Sequence, residues 1–289
     1  MWLIWLISGI IILPFLAGSL AAFLFRNKKR PHRLAPDAYG ISFSEISIPA
    51  ADDGTLYGWW IPGKDETPVL ILMHGWNSNL GRFLPYIRKL HPLGYNLLAL
   101  DARSHGSSSS LKNPTVWTFT EDILSTLQFI INEFPVNSQK IGVIGHSIGG
   151  GAAINAASQN EHIQAVVGVG AFSHPIQVMK KELNARFIPF YPFAWLFFKY
   201  WGKRANLDYE KIAPVNNMPE VMGRILLIHS QDDKIVPISQ ARDLLNSANS
   251  GKTEFWEIQG TGHSDYSSHP QFWDRLIKFL EDSLGPVPQ

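Results

Sequence analysis

From Phe43 to Leu280 short apolar runs alternate with longer stretches whose apolar residues recur at helical spacing, and no linker-like break interrupts the series. Residues 69–73, 95–100, 141–144 and 225–228 are apolar or nearly so throughout and have the length of strands. Strands of that kind are buried on both faces, as in a parallel sheet covered by helices. Residues 41–48, 55–61 and 253–258 alternate instead, and Asp53-Gly54 between the first two predicts an antiparallel hairpin opening the sheet. Helices are predicted over 119–134, 148–158, 239–247 and 270–283, with Ser239 as a cap and Pro270 in a first turn. The order of elements specifies an α/β fold, a mostly parallel central sheet flanked by helices on both faces.

The N-terminus breaks this pattern. Residues 2–25 carry no charge and are overwhelmingly apolar, long enough to cross a bilayer as a helix. Arg26, Lys28, Lys29, Arg30 and Arg33 follow directly. A cleaved signal peptide carries its positive charge before a shorter apolar core, so a retained transmembrane anchor is expected, with cleavage near residues 17–22 as the alternative. Charge on the C-terminal side predicts a single-pass protein whose main domain faces the cytoplasm. The expected division is 1–33 as anchor and basic juxtamembrane segment, and 34–289 as one globular domain. The basic cluster is expected to meet anionic headgroups, making membrane lipid a partner.

Composition narrows the classes. A net charge of +1 over 289 residues gives no case for nucleic acid. There is no cysteine, so disulfides are excluded. No histidine pair has the close helical spacing of metal ligands, and no Lys-Ser/Thr pair follows Gly149 to Gly151 as in a phosphate loop. Neither a metal nor a cofactor is expected.

The candidate chemistry begins at Gly145-His146-Ser147-Ile148-Gly149, directly after the apolar run 141–144. A serine between two glycines at a strand-to-helix turn is the pattern of a nucleophile elbow. The bend strains the serine backbone and crowds the positions two residues away on either side, which only very small residues fit. A serine hydroxyl needs a base and an orienting acid, which in this topology follow in the order serine, acid, histidine. Asp232 and Asp233 stand after the strand at 225–228. His263 stands on the glycine-rich turn after the strand at 253–258.

On these motifs, residues 40–283 resemble the α/β-hydrolases, and within them the membrane-anchored serine hydrolases of the peptidase S9-like or Bem46-like group. The family pattern H-G-x-x-D-x-x-V-P corresponds to His229, Asp233, Val236 and Pro237, which implies Asp233 as the acid, with Ser230 in place of glycine. Asp232 is then a turn-capping carboxylate. The oxyanion hole takes one backbone N–H from Ile148, the residue after the serine. His74-Gly75-Trp76 resembles the family's His-Gly-x turn, which assigns the second donor to Trp76. His74 and His146 are expected to be structural. Asp101 to Gly106 resembles the family's D-x-R-G-x-G turn, with Ser104 where glycine is usual, and is expected to hold loops together.

The insertion at about 173–222, where such enzymes carry a cap, is rich in aromatics: Phe187, Phe190, Tyr191, Phe193, Trp195, Phe197, Phe198, Tyr200 and Trp201. Most of these rings are expected to pack on one another and on the sheet, and several to line an apolar acyl pocket or dip into the lipid interface, bordered by Lys199, Lys203 and Arg204; the two readings are compatible. The resemblance implies a membrane-anchored serine hydrolase cleaving small carboxylic esters or thioesters through an acyl-enzyme. A peptidase or amidase of the same fold is the runner-up, and a non-catalytic scaffold at the membrane the reading from another class. S9 peptidases carry a propeller or other gating domain that has no counterpart in this sequence, which favours esters.

Overall fold

A computed structural model describes residues 27–111, 113–204, 207–249 and 251–287. Among them eight strands form one sheet: β1 (Ser44–Pro49), β2 (Thr55–Ile61), β3 (Val69–Met73), β4 (Asn96–Asp101), β5 (Ile141–His146), β6 (Ile163–Val169), β7 (Arg224–Ser230) and β8 (Thr253–Ile258). Their order across the sheet is β1-β2-β4-β3-β5-β6-β7-β8. β1 pairs antiparallel with β2, and β2 antiparallel with β4; every other pairing is parallel.

The helices are α1 (Leu84–Leu90), α2 (Val116–Glu133), α3 (Ile148–Ala157), α4 (Pro175–Ala185), α5 (Trp195–Arg204), α6 (Pro214–Asn217), α7 (Ile238–Ser247) and α8 (Phe272–Leu284). Successive strand side chains point to opposite faces, so each central strand feeds two cores. Val69, Ile71 and Met73 pack with Phe119, Ile123 and Leu127 of α2 and with the alanines of α3. Leu70 and Leu72 pack with Ile87 and Leu90 of α1 and with Leu276 and Leu280 of α8. Parallel strands between two helical layers place their C-terminal ends along one edge, and the loops leaving β3, β5, β7 and β8 open there.

Local chemistry moves several predicted boundaries. α2 starts at Val116 because Thr115 caps it reciprocally: its hydroxyl accepts from the N–H groups of Trp117 and Thr118, and Thr118 answers the Thr115 N–H. The hairpin turn sits one residue earlier than Asp53-Gly54, since Asp52 and Asp53 take the left-handed angles (φ 55° and 54°) that such a turn demands. Ser239 lies inside the first turn of α7 rather than capping it, with Pro237 at the cap position. Pro270 precedes Gln271, the cap of α8, and so stands outside that helix. β6 and α1 are elements the sequence pattern did not single out.

The span expected over residues 2–25 lies outside the described residues, among which no helix is long and apolar enough to cross a membrane. The basic segment that follows does not stand clear of the body. His32 stacks on Tyr57 with ring centroids 5.3 Å apart and bonds Asp101, and the Lys29 ammonium donates to the Ser108 carbonyl. Both groups have partners on the body of the domain.

The cap region holds α4, α5 and α6. Phe190 and Phe198 are buried with Leu183 and Ala194 in a small cluster of their own, so mutual packing accounts for them. Phe187, Tyr191 and Tyr200 are 95%, 60% and 60% exposed. The side chains of Phe193, Trp201 and Arg204 lie outside the described residues.

Candidate active site

Ser147 stands between β5 and α3 with φ 55° and ψ −117°, a strained conformation for a residue with a side chain. The crowding predicted for its neighbours is present. A Cβ on Gly145 would lie 2.2 Å from the Gly149 carbonyl oxygen, and one on Gly149 would lie 2.3 Å from that of Met73. Both contacts are with backbone, which cannot swing aside. The Ser147 N–H donates to the Val169 carbonyl at the end of β6 (2.8 Å), fixing the bend to the neighbouring strand.

Asp233 and His263 come from the loops after β7 and β8. The His263 Nδ1 lies 2.6 Å from Asp233 Oδ2. The second carboxylate oxygen accepts the N–H groups of Ile235 (2.9 Å) and Val236 (2.8 Å). Burial pushes the Asp233 pKa upward, but the hydrogen bond and charge of His263, helped by the Val236 N–H, outweigh it and hold the group below the ordinary aspartate value. His229 closes this loop by donating from Nε2 to the Val236 carbonyl at 2.8 Å. Asp232 points elsewhere: its Oδ2 accepts the Gly260 N–H, a staple between the two loops.

Tyr266 is a participant the sequence did not reveal. It is buried, and its hydroxyl donates to Asp233 Oδ2 at 3.1 Å. Burial first, and then the Asp233 charge, raise its pKa, so it remains a donor. A tyrosine three positions past a histidine in a polar loop carries no distinguishing pattern. Arg82 also went unremarked; its guanidinium donates to the Ser264 carbonyl and lies 3.1 Å from His146 Nε2.

The His263 ring packs against the turn after β6. A Cβ on Gly170, at φ 62°, would lie 2.9 Å from the Tyr266 hydroxyl and 3.4 Å from two atoms of the His263 ring. Gly170 follows the Val169 that holds the Ser147 N–H, so the histidine ring rests beside the elbow. Among the described residues no hydrogen bond joins the Ser147 hydroxyl to His263. Catalytic hydrogen bonds are often long in the absence of substrate and tighten only in the complex.

On the other side of the serine lies the turn after β3. A Cβ on Gly75 would lie 3.3 Å from that of Ser147, so the turn passes against the elbow. Among the described residues the backbone N–H groups of Trp76 and Ile148 have no acceptor. His74 is fully buried. Its Nδ1 donates to the Gly75 carbonyl (2.7 Å) and its Nε2 accepts the Ala102 N–H (3.1 Å), tying this turn to the loop after β4. His105 adds a second tie by accepting the Asn77 N–H at Nε2 (3.3 Å). Burial lowers the pKa of both, that of His105 to about 4, so each stays neutral and able to accept. His146 is neutral for the same reason, and its Nε2 lies 2.9 Å from the His263 carbonyl, supporting the backbone of that loop. Among the described residues no three His, Asp or Glu side chains form a group that could hold a metal ion.

The family model described as serine aminopeptidase, S33, matches residues 64–208, half of the chain. By sequence the chain is 22% identical to the uncharacterized protein YqkD of Bacillus subtilis over 244 residues, covering 82% of this chain and 79% of that one. It is likewise 22% identical to the protein bem46 of Schizosaccharomyces pombe over 265 residues, covering 90% and 83%. In fold it is similar to the esterase Pf2001 of Pyrococcus furiosus, with a TM-score of 0.74 and 22% identity over 90% of this chain and 99% of that one. The chain belongs to the serine aminopeptidase S33 family of the α/β-hydrolase superfamily, with Bem46 as a distant relative.

Proposed function

We propose that this protein is a membrane-anchored serine hydrolase that cleaves carboxylic esters or thioesters through an acyl-enzyme. The observation that carries the reading is the His263–Asp233 bond of 2.6 Å beside a strained serine elbow, with the backbone N–H groups of Trp76 and Ile148, which flank the serine, without acceptors among the described residues. His263 takes the proton from Ser147 as the hydroxyl attacks the carbonyl carbon. Asp233 fixes the tautomer with Nε2 free to accept and stabilises the imidazolium that forms. The N–H groups of Trp76 and Ile148 bind the oxygen as it becomes negative. His263 then protonates the leaving alcohol or thiol, and a water activated by the same imidazole releases the acid.

The family's name makes amide cleavage the second reading. An aminopeptidase must hold its substrate's ammonium group with a carboxylate. In the cap Glu182 is paired with Arg186, Asp208 accepts backbone N–H groups, and Glu210 meets His174 and Asn216. Glu220 precedes β7, at the opposite edge of the sheet from Ser147. With these carboxylates engaged or remote, esters are favoured. Membrane attachment through residues 2–25, with the domain on the cytoplasmic side, rests on their uncharged apolar composition and the basic cluster behind them. The exposed rings of Phe187, Tyr191 and Tyr200, and Lys199 above the Trp195 ring, suit a cap that meets the lipid interface.

Turnover of a short p-nitrophenyl ester and of an aminoacyl p-nitroanilide, by wild type and Ser147→Ala, tests the reading. Ester hydrolysis that vanishes in the variant, with little anilide hydrolysis, is expected. Wild-type rates in a contaminant-free Ser147→Ala preparation would remove the nucleophile assignment, and faster anilide cleavage would establish the amidase.

A further inference from the structure

Residues 27–33, which the sequence assigns to a linker behind the anchor, lie across the loops that leave β3 and β4. The Lys28 N–H donates to the Asn77 side-chain oxygen (3.0 Å), and the Asn79 amide donates to the carbonyls of Arg30 (3.0 Å) and Pro31 (3.1 Å). His32 reaches deepest. Its Nε2 lies 2.7 Å from Asp101 Oδ2, and its ring stacks on Tyr57 and leans on Trp59. The Asp101 side chain is fully buried, and its other partners are the N–H groups of Leu80 and Ser107, both at 2.8 Å. Leu80 ends the turn that begins at His74. One carboxylate therefore anchors that turn, the loop after β4 and the juxtamembrane segment together.

We propose that residues 27–33 are a strap that positions the turn carrying the Trp76 N–H, with His32 as its pin, so that the anchor segment is a working part of the catalytic domain. The inference rests on Trp76 serving as an oxyanion donor. Asn77 follows that residue and sits at φ 55°, in the left-handed region, held by the strap from one side and by His105 from the other. A donor must stay within a few tenths of an ångström of the developing oxyanion to be effective, so a turn loosened at Asn77 and Leu80 lowers the rate without altering the fold. Removing His32 also leaves one lone pair of a buried carboxylate without a donor. His32 touches no reacting atom; it is a positioning residue.

The test uses the full-length chain in detergent micelles and compares wild type, His32→Ala, His32→Gln and Asn77→Gly. Glutamine carries an amide N–H to about the position of Nε2, and glycine tolerates the angles at Asn77 while deleting the acceptor. For a short p-nitrophenyl ester His32→Ala is expected to lower kcat about tenfold with KM within twofold, His32→Gln to recover most of the loss, and Asn77→Gly to cost a few-fold. Backbone hydrogen exchange over residues 74–80 is expected to speed up in His32→Ala and Asn77→Gly, with thermal midpoints little changed. Unchanged kcat and exchange in His32→Ala, or a loss of kcat that glutamine does not recover and that tracks the amount of folded protein, overturns the strap. An inactive wild type whose 74–80 turn still loosens in His32→Ala removes the esterase reading and leaves the strap standing as a structural device.

Discussion

On the β7–β8 side of the site, Asp233, His263 and Tyr266 are joined side chain to side chain within 3.1 Å, and two backbone N–H groups complete the carboxylate. On the β3–β4 side the proposed oxyanion donor is the backbone N–H of Trp76, and what holds its turn is indirect. His74, His105 and Asp101 bind the turn from behind, and Arg103 fixes the loop that carries two of them. The Arg103 side chain is fully buried, bonded to Asp122 and Glu121 and to the Ala51 carbonyl. The first half is a short chain of proton-carrying atoms, sensitive to chemistry. The second is a scaffold, sensitive to stability and to charge state.

The largest expected effect breaks the first half alone. Asp233→Asn keeps an oxygen for the Ile235 and Val236 N–H groups but no longer fixes the His263 tautomer, and kcat should fall about 10⁴-fold with the fold intact. Steady-state kinetics beside a denaturation curve checks this, and a loss under tenfold contradicts the proton path. Breaking the second half reads out differently. Arg103→Ala leaves Asp122 buried without its partner and should cost about 3–5 kcal/mol of stability in urea denaturation. If the variant unfolds at the wild-type midpoint, the loop is not held as described.

Acid sharpens the contrast further. His105 has an ordinary value of 6.5 when unfolded and about 4 when folded, burial being the main cause. Between those values the unfolded chain binds a proton that the folded chain refuses, so stability falls as pH falls through that window. This residue alone should contribute up to ~3 kcal/mol of loss. His105→Asn should flatten the pH dependence of the urea midpoint between 6.5 and 4; an unchanged slope places the acid sensitivity elsewhere.

Much of the architecture was legible because buried strands announce themselves as apolar runs and the elbow demands glycines at 145 and 149. Asp233 was reachable through the register of His229, Val236 and Pro237, not through its own chemistry, since Asp232 beside it is equally acidic. The loop-holding role of residues 101–106 was legible from the motif, but Tyr266 and Arg82 were not. Each acts through a contact between loops distant in sequence, and nothing in a polar loop marks which side chain will turn inward. The helix starts at Thr115 and Gln271 were missed for a related reason: a cap is a polar residue outside the apolar pattern. The docking of residues 27–33 on the body was not legible either, because a basic stretch behind an apolar one reads as a juxtamembrane linker whether or not its backbone also binds the domain.

The most direct measurement is the site of covalent modification by a fluorophosphonate probe, mapped by peptide mass spectrometry on the full-length protein. A single adduct on Ser147 is predicted, formed rapidly in wild type, much more slowly in Asp233→Asn and not at all in Ser147→Ala. Stoichiometric labelling at another residue, or none in folded wild-type protein, would contradict the assignment of this serine, imidazole and carboxylate as one reacting unit.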